Sequence, residues 1–192
     1  MWKSKDITLI IVFAVLGLIY TVFVAQMGYL ITGILGVNFL FIIGYAIFIS
    51  SQLLLYAGRR WRFFISSVLF VFLIIPTNFA GTPFDMLSRT PLIIHAFFVD
   101  LLFNSIYGFF ESHNKLFWWT ILVSIEYNMI NPFFSILIYH FLYPPEYVAS
   151  FINVVLLMLP VIIVESIGGG YIGYKIYERI KNGKYFLQLK SP

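Results

Sequence analysis

Two carboxylates stand where a membrane-spanning chain ordinarily carries none. Asp100 lies nine residues past Pro91, and Glu126 eleven past Lys115. At a helix rise of about 1.5 Å per residue, each falls roughly 14–16 Å from its helix end, near the midplane of a hydrocarbon core about 30 Å thick. A carboxylate facing lipid at that depth costs about 2.5–3.5 kcal/mol. Both are therefore expected to face the protein interior, where they are protonated, paired or set to receive a ligand. His95, Asn104, Asn131, His140 and Asn153 share the same stretch of chain, and Asp85 and Arg89 precede it in a proline-rich segment. Together with Asp100 and Glu126 they predict a polar pocket in the outer half of helices four to six, with that segment lying over it. Phe84, Tyr127 and Tyr139 would supply stacking surfaces. A few placed polar groups among aromatic rings suit the binding of a small molecule.

Plainer roles compete for the same residues. Asp100 and Asn104 are one turn apart and also read as a structural pair between helices. His95 and His140 also suit interfacial anchoring. Asn128 or Asn131 reads as a partner for backbone freed by Pro132. Glu165 is expected near the inner headgroups in a structural role. The adjoining Gly168-Gly169-Gly170 run reads as a close-packing face, since no Lys-Ser/Thr follows it as in a phosphate loop.

Bond-making chemistry has little to work with. The sequence contains no HExxH, GxSxG or P-loop motif, and no cysteine. We therefore expect no enzyme activity, no metal and no cofactor. ATP hydrolysis is excluded for the chain itself. Active transport would need an ion gradient acting through Asp100 and Glu126, or a powered partner.

Composition sets the elements that must hold these residues. Of the 192 residues 61% are hydrophobic and 10% charged, and the mean hydropathy is +0.94. Soluble domains carry about a quarter charged residues. The expectation is an all-α integral membrane protein, a single transmembrane domain of six helices spanning about 7–27, 33–57, 63–80, 92–110, 116–143 and 147–173. The opening apolar run is too long for a cleavable signal and reads as a retained first span. Regular helix in the third span should stop at Pro76, and the 77–91 link, with Pro83 and Pro91, should be structured.

With six spans, every Lys and Arg except Arg89 falls on one side, which predicts cytoplasmic termini and a multi-pass protein of the cell membrane. The formal charge of +4 then faces anionic membrane lipid, and no nucleic-acid partner is expected.

The final helix, Glu165-Ser166-Ile167-Gly168-Gly169-Gly170-Tyr171-Ile172-Gly173-Tyr174-Lys175, with its basic end, resembles that of the substrate-binding S components of energy-coupling-factor (ECF) vitamin transporters. The compact six-helix plan is similar as well. The resemblance implies capture of a vitamin or vitamin-precursor small molecule, with a transmembrane coupling subunit and an ATPase pair as partners. It also implies that small residues on the first helix, here Ala14, Gly17, Thr21 and Ala25, meet the coupling subunit. Where the metal-binding members carry a histidine beside the initiating methionine, Trp2 stands here, so a metal substrate is not implied. Two other readings remain open from the residues alone: an accessory subunit of a larger membrane complex, and a stand-alone proton-coupled carrier using Asp100 and Glu126.

Overall fold

A computed structural model describes residues 4–26, 31, 37–80 and 82–181. The expected link at Gly28-Tyr29, the glycines at 33 and 36, and Lys184 and Lys190 of the tail lie outside the described residues. So do the side chains of Ala25 and Asn38.

All the regular secondary structure among the described residues is helical, with no strand. Helix α1, Ser4–Tyr20, runs on into a π-helical turn at Thr21–Ala25. A 3-10 turn, Val37–Phe41, leads into α2, Ile42–Tyr56. Then come α3, Arg62–Ile74, and α4, Thr90–Ser112, the latter preceded by the short turn Leu87–Arg89. Helices α5, Leu116–Leu142, and α6, Pro145–Ile180, complete the fold.

Among the described residues, five helical stretches are long and apolar enough to cross a membrane: Ser4–Val24, Phe39–Tyr56, Leu87–Ser112, Leu116–Leu142 and Pro145–Ile180. The chain is thus a multi-pass membrane protein by length and composition. Helix α3 is the exception. Its 13 residues rise only about 20 Å, and the chain then turns into the expected structured link. Helix α6 departs the other way, continuing past residue 173 to 36 residues in all.

Sequence punctuation explains the boundaries. Pro91 and Pro145 sit in the first turns of α4 and α6, where the missing N–H has no intrahelical partner to lose. Helix α2 ends because Ala57 and then Gly58 take positive φ values of 50° and 72°. The reversed chain reaches Trp61, also at positive φ, before α3 begins.

The helices close a ring in the order α1, α3, α4, α5, α6, α2 and back to α1, with α2 also touching α5. The tightest seam joins α2 to α6 and is made by the glycine run. A Cβ on Gly169 would lie 2.7 Å from the carbonyl oxygen of Ile43, and one on Gly173 would lie 3.2 Å from that of Ile47. Small residues here let the helices approach through their backbones.

The two ends of the ring differ. At the basic end, Asp6 of α1 is buried and bridges Arg59 at 3.1 Å and Arg62 at 2.9 Å, tying α1 to the α2–α3 turn. A solid core of Leu53, Leu54, Tyr56, Phe63, Val99 and Trp119 fills this half. The other half, which carries the 75–89 loop, is hollow.

Candidate functional site

The hollow is a cavity of about 710 Å³, within the range of drug-sized ligand sites. It runs from Gln52 and Ser66, above the core, to Tyr143 and Tyr147 at the loop end. Its wall comes chiefly from α1, α2, α3 and α5, closed by Asn78, Phe79, Ala80 and Thr82 of the loop and by the start of α6. Helix α4 adds only Leu92. The expectation of a pocket among helices four to six is corrected accordingly. Charged side chains pointed sequence reasoning to the second half of the chain, whereas the wall is neutral and comes largely from the first.

Of the nine candidate site residues, Asn131 alone lines the cavity. Its side-chain amide has no hydrogen-bond partner among the described residues, and Tyr127 and Tyr139 flank it on the same helix and the same cavity. The expected stacking role of Phe84 is corrected by its position, 78% exposed on the loop.

The other eight lie outside the cavity wall. Asp100 is 1% exposed and accepts three hydrogen bonds, from Trp61 N–H at 2.8 Å, Phe64 N–H at 2.9 Å and Asn104 Nδ2 at 2.8 Å. The start of α3 has no side-chain cap of its own. Because α3 is short, its free N–H groups lie level with the middle of α4, and a carboxylate there satisfies them and opposes the helix dipole. Asp100 therefore caps α3, and Asn104 steadies it by donating to its carboxylate and to the Arg59 carbonyl at 3.4 Å, so the two form a structural pair.

His95 is fully buried, with Nε2 3.1 Å from Glu126 Oε1 and its ring stacked between Tyr127 and Phe134. This pair joins α4 to α5 behind Tyr127, one ring away from the cavity. His140 and Asn153 are exposed on the outside of α5 and α6. Helical phase, which the depth argument ignored, turns them away.

Arg89, buried completely, donates to backbone carbonyls of Thr82 (3.0 Å), Asp85 and Thr77 (2.6 Å). A proline-interrupted loop leaves carbonyls without partners, and Arg89 supplies their donors, which leaves it no part at a ligand. Asp85 caps the same loop by accepting from the N–H groups of Leu87 and Ser88, and its carboxylate meets Tyr143 Oη at 3.4 Å. Burial opposes its ionisation, but the hydrogen bonds from Ser88, Leu87 and Tyr143 outweigh it and hold its pKa below the usual value.

A pKa depressed by folding stabilises at neutral pH and is lost as pH falls through the folded value. Acidification below the ordinary carboxylate range should thus lower the protection of the Leu87 and Ser88 amides, measured as exchange relative to the free-chain rate at each pH. An Asp85→Asn variant should exchange faster at neutral pH and respond less to acid. Equal protection in both proteins at neutral pH would refute this.

The small-residue stripe on α1 also turns inward. Ala14 and Gly17 line the cavity, Gly17 facing Phe70 of α3. Thr21 is buried and bonds Tyr45 Oη of α2 at 2.8 Å. The exposed side of α1 carries Ile7, Ile11, Val12, Val15, Leu16 and Ile19 instead, so the expected partner face is, at Ala14, Gly17 and Thr21, a packing face within this chain. Glu165 likewise departs from its expected depth. It accepts from Ile43 N–H at 2.9 Å, at the far end of α2 from the basic turn.

The polar groups that do line the cavity are amides and hydroxyls, chiefly Gln26, Gln52, Asn78, Asn128 and the tyrosines. With its amide oriented to suit its neighbours, Gln26 Oε1 accepts from Asn78 N–H at 3.3 Å and Phe79 N–H at 2.7 Å, holding the loop against the end of α1. Asn128 does not serve backbone freed by Pro132. It donates to Ser124 O at 3.0 Å and Ser166 Oγ at 3.1 Å, linking α5 to α6. Sequence reasoning passed over Gln52 because it carries no charge. An amide in the middle of an apolar span was the available signal. No family model, curated protein or solved structure matches the chain.

Proposed function

We propose that this chain binds a small molecule in the inter-helical cavity and serves as the substrate-capture subunit of an ATP-driven importer of the ECF type. In this reading all six helices span the cell membrane, both termini are cytoplasmic, and the loop end faces outward. The substrate is a vitamin or a vitamin precursor. The coupling subunit and its ATPases bind a surface other than the inward-turned face of Ala14, Gly17 and Thr21.

The observation that carries the reading is the cavity itself. It is about 710 Å³, walled by rings and amides, and bordered by a loop that Arg89 and Gln26 hold in place. Natural membrane cores are packed densely, so a hollow of this size with convergent polar groups suits an occupant. A proton-coupled carrier has less support, because neither Asp100 nor Glu126 lines the cavity.

The test is ligand-induced stabilisation of the purified chain in detergent or nanodiscs, against a broad panel of small metabolites. At least one compound should raise the unfolding temperature and bind in calorimetry. Asn131→Ala should weaken that compound about tenfold, the equivalent of one hydrogen bond at the upper end of its usual net strength. Asp100→Asn should leave the affinity of the folded protein unchanged. A panel without a single stabilising compound would remove the reading.

A further inference from the structure

Three features of the cavity wall narrow the chemistry of its occupant, given that the cavity is a capture site. The first is charge. Among the described residues, no Asp, Glu, His, Lys or Arg lines it. The nearest candidates are committed: Asp100 to the start of α3, Glu126 to His95 behind the wall, and Arg89 to loop carbonyls. A ligand carrying a carboxylate, phosphate or ammonium group would surrender its hydration without meeting a counter-charge, an unfavourable exchange.

The second feature is the rings. Aromatic side chains line it from three helices, with Tyr45 and Phe48 on α2, Phe70 on α3, and Tyr127 and Tyr139 on α5. Such walls hold flat conjugated molecules by offset or edge-on contact.

The third is a pair of oriented acceptors. Gln52 Nε2 donates to Tyr56 Oη at 3.0 Å and Ser66 Oγ at 2.7 Å. Ser66 in turn donates to Ile10 O at 3.2 Å, so its oxygen must accept from Gln52, which fixes the amide's orientation. Asn128 is fixed in the same way by the carbonyl of Ser124, which can only accept. With both NH₂ groups engaged in the protein, each residue has its carbonyl oxygen left to offer. Oriented acceptors select donors, because an analogue lacking the N–H or O–H leaves a desolvated carbonyl unpaired.

We infer that the occupant is an uncharged molecule with a flat aromatic ring system and at least one N–H or O–H donor, of the carboxamide, lactam or hydroxyl kind. The inference rests on the capture reading above but is separately testable. Purified protein is titrated calorimetrically with matched aromatic pairs, indole-3-acetamide against indole-3-acetate and 2-naphthamide against 2-naphthoate. A non-aromatic set of sugars, amino acids and aliphatic amides is titrated alongside.

The amides should bind at least about tenfold more tightly than their carboxylates, and Gln52→Met or Asn128→Leu should reduce that preference to less than about threefold. Asn153→Ala, on the exposed outside of α6 and away from the cavity, should bind the amides within about threefold of the parent, so a loss at Gln52 or Asn128 is specific to the wall. Unfolding curves without ligand verify that each variant is folded. Carboxylates that bind as well as amides, or tight binding confined to the non-aromatic set, would overturn the ligand class and leave capture standing. Silence across every compound would overturn both.

Discussion

Replacing Asp100 with alanine should lower the unfolding free energy by about 3–5 kcal/mol, the range for removing one partner of a buried, hydrogen-bonded charge. The side chain is all but inaccessible, and three donors converge on it from Trp61, Phe64 and Asn104. Two of these are backbone N–H groups at the start of a helix, which rotation of a side chain cannot redirect. Each hydrogen bond to a charged group contributes about 1.5–3 kcal/mol. The loss is offset in part by relief of the burial of the carboxylate itself.

Asp100→Asn retains one acceptor oxygen and should lose roughly half as much. The measurement is chemical denaturation of both variants in the same detergent, followed by ligand affinity for whatever fraction remains folded. A large stability loss with unchanged affinity is the signature of a cap. Unaltered stability with abolished binding would return Asp100 to the cavity and contradict the geometry described here.

Asp100 also shows how much of this molecule can be read from its residues. That it is buried, and that it must have partners, followed from depth and the cost of exposing charge in hydrocarbon. Which partners it has did not follow, because they are backbone groups of another helix, exposed by a span too short for its neighbours. The brevity of α3 was itself legible at Pro76. What joins the two facts is the level at which the helices pack, and no periodicity records that.

Arg89 and Asp85 are a similar case. The loop's prolines announced a structured segment, but not that its free carbonyls would claim the arginine. The cavity was placed wrongly for a different reason. Ionisable residues are conspicuous in an apolar chain, and here they staple helices together. The wall instead uses Gln52, Asn128, serines and tyrosines, which are hard to distinguish in sequence from ordinary interior residues of a helix bundle. Asn131, Tyr127 and Tyr139 were placed with the pocket on residue type and depth, and the three do line it from α5.

The glycine run offers the sharpest test of the packing, because its neighbouring members should behave oppositely. Gly169→Ala should destabilise by about 3 kcal/mol or more, at or beyond the upper end for overpacking. Its new methyl would press on Ala46 and stand 2.7 Å from the carbonyl oxygen of Ile43. Backbone cannot step aside as a side chain can, so α2 and α6 must separate. Gly168→Ala, one residue earlier, meets only the Ile43 side chain at 3.8 Å, an ordinary contact. It should be neutral or stabilise by up to about 1 kcal/mol, the helix-propensity gain of alanine over glycine. Propensity changes identically at the two sites, so any difference between them measures helix approach alone.

The consequence reaches the cavity. Helix α2 carries Tyr45 and Gln52 on its cavity face and packs on Gly169 through Ile43 and Ala46. A shift of α2 away from α6 therefore moves one wall against the other three. Folded Gly169→Ala protein, recovered at low temperature, should bind ligand more weakly than Gly168→Ala even though neither residue touches the cavity. Matching stabilities for the two variants in thermal unfolding would show that α2 and α6 lie farther apart than the backbone contacts require.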